Sequence, residues 1–276
     1  MMRTIAAVVL LAGFLTGCQG DDEPNAEPTP SATTTGTPKP AKPAPRPVVG
    51  ACYDLTYEQA VAPTNDQKSV DCKNKHTAQT FHAGPLDTVV DGHLVAVDSD
   101  RVQQQVASSC PEQMSGFLGG SQEDLRLSML SAVWFSPTVE ESDAGQDWYR
   151  CEVVSLAGGD SLRPLTLPMK GVLGTQEGRD TFGMCGTDRP GTKGFERVTC
   201  AEDHSWRAVS TIDVKPGRNG AWPGETAARN AGEETCQDAV RDRAEDPLKF
   251  TWGYEWPTKK QWQAGQHYGY CWSPTP

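Results

Sequence analysis

The chain has 276 residues, a formal net charge of −11 and nine cysteines, and 37% of its residues are hydrophobic. Its 36 Asp and Glu residues outnumber its 25 Lys and Arg residues, so the protein would repel a phosphate backbone, and nucleic-acid binding is excluded. Nine cysteines indicate metal or redox chemistry in a reducing compartment but disulfides in an oxidising one. The compartment must therefore be identified before the cysteines are assigned a role.

The N-terminus is typical of a bacterial export signal. Residues 1–17 contain one positive charge, Arg3, and an apolar run from Ile5 to Leu15, shorter than the about 20 residues that a membrane-spanning helix needs. The run ends in Leu15-Thr16-Gly17-Cys18, which resembles the lipobox of bacterial lipoproteins. The resemblance implies that Cys18 carries the lipid, palmitate included, and anchors the chain to the outer face of the cytoplasmic membrane. The alternative is an ordinary secretory signal with a coincidental cysteine.

The segment that follows, residues 18–47, is predicted to be a disordered stalk. It contains eight prolines between Pro24 and Pro47, interleaved with Ala, Thr and Lys. Because proline lacks a backbone donor and favours extended geometry, we expect a semi-rigid, solvated spacer between the membrane and the folded part.

The rest of the chain is a tandem repeat. The pattern V-x-C-x-x-x-H occurs at Val70–His76 and again at Val198–His204, and Pro137-Thr138 and Cys151 recur without a gap as Pro257-Thr258 and Cys271. We therefore expect two copies of one domain, at residues 48–157 and 180–276, joined by a linker at 158–179.

Each copy is predicted to be an α+β domain. Residues spaced by four mark a buried helix stripe that includes the third cysteine: Val102, Val106, Cys110 and Met114 after Ser99, and Ala228, Gly232, Cys236 and Val240 after Pro223. Segments rich in aromatic and β-branched residues, or alternating in polarity, predict strands: 77–84, 127–135 and 148–156 in the first copy, and 206–214, 250–256 and 268–272 in the second.

The eight remaining cysteines form two sets of four, and four cysteines allow three pairings. We predict one bridge between neighbouring strands and one between the helix and the last strand of each copy. The predicted pairs are Cys52–Cys72, Cys110–Cys151, Cys185–Cys200 and Cys236–Cys271.

The arrangement resembles the septum formation domain family of exported and membrane-anchored proteins from high-G+C Gram-positive bacteria. The similarity rests on the starts Gly50-Ala51-Cys52 and Gly183-Met184-Cys185, on the V-x-C-x-x-x-H segments, and on the endings that contain Trp134 and Trp256. The sequence departs from the family where Gln79 and Arg207 replace a Glu, and where Gln146 and His267 lie in a region that usually has an Arg. The resemblance implies a link to cell division or the envelope, and it supplies no reaction.

His76 and His204 are the candidate functional residues because they recur four positions after a cysteine. Their main interpretation is structural, as hydrogen-bonding residues at a strand entry. No metal and no cofactor are expected, because the neighbouring cysteines are separated by 19 and 14 intervening residues instead of forming C-x2-4-C pairs. The motifs G-x-S-x-G, S-x-x-K and H-E-x-x-H are also absent from the sequence.

The last 25 residues are rich in aromatic side chains, and four tryptophans there are candidate glycan-binding residues: Trp252, Trp256, Trp262 and Trp272. Core packing is the alternative. Acidic clusters such as Glu233-Glu234 are interpreted as solvated charge on a helix.

Three functions remain open. The first is a non-enzymatic cell-surface lipoprotein, anchored by its lipid, that binds an envelope or division protein. The second is a module that binds cell-wall glycan through the C-terminal aromatic residues. The third is an exported hydrolase of unrecognised type, with His76 or His204 as its base.

Overall fold

A computed structural model describes residues 46–275 of the chain. The predicted signal peptide, the lipidation site Cys18 and nearly all of the predicted stalk lie outside these residues. In residues 46–275, no helix is both long and apolar enough to cross a membrane.

The first copy mixes strands and helices in sequence. Its strands are β1 (Cys52–Tyr53), β2 (Ala78–Pro85), β3 (Val89–Val90), β4 (His93–Leu94), β5 (Leu130–Phe135), β6 (Trp148–Gly158) and β7 (Ser161–Arg163). Its helices are α1 (Tyr57–Val61), α2 (Asp100–Leu118), α3 (Gln122–Arg126) and α4 (Val139–Asp143).

The first sheet has the strand order β1-β2-β6-β5, all antiparallel, and β7 adds to β6. The register of β2 against β6 shifts between Thr80 and His82, which makes Phe81 the extra residue of a β-bulge. A further isolated bridge joins Cys52 to Val70.

The second copy repeats this plan. Helix α5 (Gln176–Phe182) leads into it. Its strands are β8 (Met184–Gly186), β9 (Arg197–Thr199), β10 (Trp206–Asp213), β11 (Gly253–Glu255) and β12 (Tyr268–Pro274), and its helices are α6 (Glu225–Asn230), α7 (Glu233–Arg241) and α8 (Lys259–Gln263).

The second sheet has the order β9-β8-β10-β12-β11, so its last four strands stand in the same order as those of the first sheet. Cys185 pairs with Val198, as Cys52 does with Val70. Strand β10 has its own register shift, which makes Val209 the extra residue opposite β12. The shared order and bulge are consistent with two copies of one α+β domain.

Four disulfides hold the two copies, and they join the pairs assigned from the sequence. They are Cys52–Cys72, Cys110–Cys151, Cys185–Cys200 and Cys236–Cys271, with Cα atoms 4.9–5.4 Å apart. The second bridge of each copy ties its helix to strand β6 or β12, so the helix is fixed against the middle of the sheet.

Helix α2 covers the first sheet with one buried stripe. Val102, Val106, Cys110, Met114 and Leu118 are 0–7% exposed, as their spacing predicts. Ser99 occupies the N-cap position without a side-chain capping hydrogen bond.

The equivalent helix of the second copy is broken. Its stripe is buried as predicted, but α6 and α7 are separate helices on either side of Gly232. A Cβ atom on Gly232 would lie 2.4 Å from the ring of Tyr254, so the chain approaches this ring more closely than any side chain would allow.

The connecting segment 158–179 contributes to the hydrophobic core of the first copy. Leu165, Met169, Val172 and Leu173 are 0–4% exposed in that core, together with Phe182 of α5. The segment between the two copies is therefore packed into the core of the first copy.

The two copies also contact each other directly. Met129 donates its N–H to the carbonyl of Phe182 at 2.7 Å, and Met184 donates to the carbonyl of Leu127 at the same distance. The side chains of Met129 and Leu156 pack into the aromatic core of the second copy.

The predicted strands are observed with shifted ends. The largest difference is at 250–256, where only Gly253–Glu255 forms strand β11, because β12 pairs with these three residues alone.

Candidate functional site

The two repeated histidines hold turns. The Nδ1 atom of His76 lies 2.9 Å from the carbonyl oxygen of Asn74, and that of His204 lies 2.7 Å from the carbonyl of Glu202. Because a carbonyl only accepts, each imidazole donates through Nδ1 and closes the turn before β2 or β10. His76 is buried and His204 is half-buried, and neither lines any of the four cavities described below.

The four candidate tryptophans divide into two pairs. Trp262 and Trp272 are 5% and 0% exposed and belong to the core. Trp262 donates Nε1–H to the carbonyl of Gly220 at 3.3 Å, and Trp272 meets Phe195 edge to face at 5.2 Å. These two rings are structural.

Trp252 and Trp256 are partly exposed and line a cavity of about 360 Å³ in the second copy. Three segments far apart in sequence form its wall: the loop after β8, the α6–α7 region, and β11 with its flanks. The lining residues are Arg189, Pro190, Gly191, Thr192, Arg229, Glu233, Trp252, Gly253, Tyr254 and Trp256. We call it the second-copy cavity.

The aromatic wall of this cavity follows from strand geometry. Residues 252, 254 and 256 alternate along an extended chain, so their side chains share one face. Trp252, Tyr254 and Trp256 all pack over the Cys236–Cys271 bridge on that face. The hydroxyl of Tyr254 donates to the carbonyl of Ala228 at 3.1 Å, and burial raises the pKa of Tyr254 to about 12, so this group remains a neutral donor.

A glycine brings the loop after β8 to the strand edge. A Cβ atom on Gly253 would lie 2.7 Å from Cγ of Pro190, so only glycine permits this approach. Arg189 then donates Nη2–H to the carbonyl of Trp252 at 3.2 Å, which holds its guanidinium at the cavity wall.

The charged side chains that line this cavity have a net positive charge, whereas the whole chain has a net negative charge. Two exposed guanidinium groups, Arg189 and Arg229, face a single carboxylate, Glu233, in a protein of net charge −11. The sequence favours a solvated helix charge for Glu233, and in the structure this carboxylate is exposed at the cavity wall.

The first copy has a cavity at the equivalent place, with a volume of about 340 Å³. We call it the first-copy cavity. Its lining residues are Ala60, Val61, Ala62, Pro63, Gln103, Ala132, Val133 and Trp134. Trp134 pairs across the sheet with Cys151, as Tyr254 pairs with Cys271, and Gln103 stands seven residues before Cys110, as Arg229 does before Cys236.

The two cavities share their position but differ in chemistry. The first is apolar with one amide, whereas the second has three aromatic rings and two guanidinium groups. Sequence reasoning found two of the tryptophans and missed both arginines. An alignment of the two copies would have shown the change from Gln103 to Arg229, but nothing in the sequence placed Arg189 beside it.

Two other cavities have lower aromatic content. One of about 420 Å³ lies between the copies, where Arg207 forms an ion pair with Asp180 at 2.8 Å. Hydrogen bonds from Gln176 and Arg207 hold the pKa of Asp180 below its ordinary value. The other, also about 420 Å³, lies beside α4 of the first copy. Among residues 46–275, no group of three or more His, Cys, Asp and Glu side chains is arranged to hold a metal ion.

Comparison with known proteins adds one finding. A family model described as septum formation matches residues 22–147 and 49–271, two overlapping ranges consistent with a duplicated domain. No curated protein and no solved structure matches the chain.

Proposed function

Because the chain belongs to the septum formation family, we propose that it is a non-enzymatic cell-surface lipoprotein and an envelope- or septum-associated interaction module. Cys18 holds the lipid, and the stalk presents two disulfide-bonded copies outside the cytoplasmic membrane. The partner is an envelope or division component. The family assignment suggests a septum-related surface role, and the four disulfides fit an oxidising compartment.

The main support for this proposal is that a cavity occurs at the equivalent place in both copies. Both copies place a cavity of similar volume against strand β5 or β11, the last strand of each sheet. A concave surface with apolar walls and a few polar groups is typical of binding sites. The hydrolase alternative gains no comparable support, since both repeated imidazoles are held by backbone carbonyls outside these cavities.

Site-specific crosslinking in the native host tests the proposal. A photoreactive residue at position 192, on the second-copy cavity, should capture an envelope or division component, whereas one at Asp160, in an exposed turn, should not. Deletion of the protein should disturb septa, and Cys18→Ala should fail to restore them. Normal septa in the deletion strain together with no envelope product at position 192 would contradict the proposal.

Glycan binding is the second candidate function, and a specific observation favours it. Trp252 and Trp256 line the second-copy cavity and are partly exposed, so two aromatic rings are available to a sugar face, while Tyr254 between them is buried. Titration with soluble cell-wall fragments should change the tryptophan fluorescence. Trp252→Phe should reduce that change, whereas Trp222→Phe, which alters a ring packed on Trp262 outside the cavity, should preserve it. An unchanged spectrum of the unmodified protein would exclude this candidate.

A further inference from the structure

We propose that the second-copy cavity binds a glycan that carries a carboxylate, and that the first-copy cavity does not. This inference rests on the glycan-binding candidate above and names the class of sugar. It depends on the combination of an aromatic row with two guanidinium groups in one cavity.

The aromatic row supplies a platform for sugar rings. Side chains on one face of a strand recur about every 6.8 Å, which is comparable to the length of one pyranose unit. Trp252 and Trp256 are partly exposed at the two ends of the row, and Tyr254 between them is fixed by its hydrogen bond to Ala228. The row therefore presents two partly exposed indole rings, separated by the buried Tyr254, over a length of about two sugar units.

The guanidinium groups supply the charge selectivity. Guanidinium groups bind carboxylates with paired, charge-assisted hydrogen bonds. Arg189 is held by the carbonyl of Trp252, so part of its donor set is already oriented at the aromatic row. Glu233 remains as an acceptor for sugar hydroxyls in the same cavity, and it leaves the charged side chains of the cavity with one net positive charge.

The first-copy cavity is a natural comparison within the same chain. Its volume is about 340 Å³ against about 360 Å³, so size does not separate the two. Gln103 occupies the position of Arg229. The end of α1 and the two residues after it contribute Ala60–Pro63, which carry no charge. Ala132 replaces Trp252 on the wall. The first copy therefore lacks both the cations and most of the aromatic row.

The experiment uses the full chain and two disaccharides that share a sugar backbone. N-acetylglucosaminyl-N-acetylmuramic acid has a free lactyl carboxylate, and N,N′-diacetylchitobiose is neutral. Calorimetric titration should show one site per chain for the acidic disaccharide, with an affinity about tenfold or more above that for the neutral one. The affinity for the acidic disaccharide should also fall as salt concentration rises.

Arg229→Gln makes this position resemble Gln103 of the first copy, and Arg229 is exposed, so the fold should persist. The substitution should remove most of the preference for the acidic disaccharide. Arg241→Gln is the matched control, because Arg241 is a partly exposed arginine on α7 that pairs with Asp238 outside the cavity. It should leave both affinities unchanged.

Each other result has a distinct meaning. Equal affinities for the two disaccharides, unaffected by Arg229→Gln, would overturn the carboxylate proposal and leave glycan binding standing. Binding of neither disaccharide would overturn both. Lactate alone binding as tightly as the acidic disaccharide would overturn the role of the aromatic row, and two equal sites per chain would overturn the distinction between the copies.

Discussion

Arg150 and Glu152 form a buried ion pair on strand β6, with Nε of Arg150 3.1 Å from Oε1 of Glu152. Both residues are buried, at 5% and 0% exposure. The guanidinium also lies over the rings of Tyr53 and Phe135, at 4.3 and 4.9 Å from their centroids. The second copy has Tyr270 and Trp272 at the equivalent positions of β12, so this charge pair belongs to the first copy alone.

The first prediction concerns pH. Burial raises the pKa of Glu152 from 4.5 to about 7, against the opposing effects of Arg150 and of the hydroxyl of Thr80. A carboxyl group whose pKa is higher in the folded chain than in the unfolded chain binds a proton more tightly when the chain is folded. Its contribution to stability is therefore fully present at pH values below its pKa in the unfolded chain. For Glu152 that contribution is lost as the pH rises from about 4.5 through about 7.

Glu152→Gln should remove this part of the pH dependence. Denaturant unfolding at pH 5 and pH 8 should show a smaller loss of stability in the variant than in the unmodified chain. Glu140→Gln, which removes an exposed carboxylate in the first turn of α4, should behave like the unmodified chain. If all three proteins lost the same free energy of unfolding between pH 5 and pH 8, the raised pKa of Glu152 would be contradicted.

The second prediction concerns the pair itself. Removing one partner of a buried ion pair leaves the other charge uncompensated, so Arg150→Met should cost about 3–5 kcal/mol of the free energy of unfolding at pH 8. The double variant Arg150→Met with Glu152→Met should be more stable than the single one, since no buried charge remains. Additive losses in a double-mutant cycle, measured by denaturant unfolding, would show that the two side chains are not coupled.

The third prediction concerns the break between α6 and α7. Gly232→Ala would place a Cβ atom 2.4 Å from the ring of Tyr254, and we expect it to destabilise the protein by about 1–3 kcal/mol. Gly116→Ala in α2 is the matched control, because a Cβ atom there meets nothing within 4 Å. It should be neutral or stabilise the helix by up to about 1 kcal/mol. Thermal unfolding followed by circular dichroism measures both, and a neutral Gly232→Ala would contradict the close approach.

The fourth prediction concerns the order of disulfide reduction. Cys72 is exposed, whereas both cysteines of the Cys110–Cys151 and Cys236–Cys271 bridges are 0% exposed. Reaction of a thiolate with a disulfide requires access to the sulfur, so mild reductant should open Cys52–Cys72 before these two bridges. Alkylation followed by peptide mass spectrometry gives the order. Earlier labelling of Cys110 or Cys236 would contradict it.

The sequence by itself determined the local and the repeated features. Spacing by four placed Cys110 and Cys236 on buried helix stripes, and the recurrence of V-x-C-x-x-x-H showed that one domain is used twice. The repetition also divided eight cysteines into two equivalent sets of four, and the structure joins the equivalent pairs in both copies. These properties depend on residues near one another in the chain or on the comparison of two similar segments.

Only the tertiary structure decided which aromatic residues are available to a ligand. Trp256 and Trp262 are six residues apart, yet one lines the second-copy cavity and the other is packed against Trp222 in the core. The cavity also requires Arg189 and Arg229, which come from segments 40 residues apart and line the same cavity once Pro190 packs against Gly253 and the chain breaks at Gly232. Such contacts depend on how distant segments pack, and no local pattern of residues records that packing.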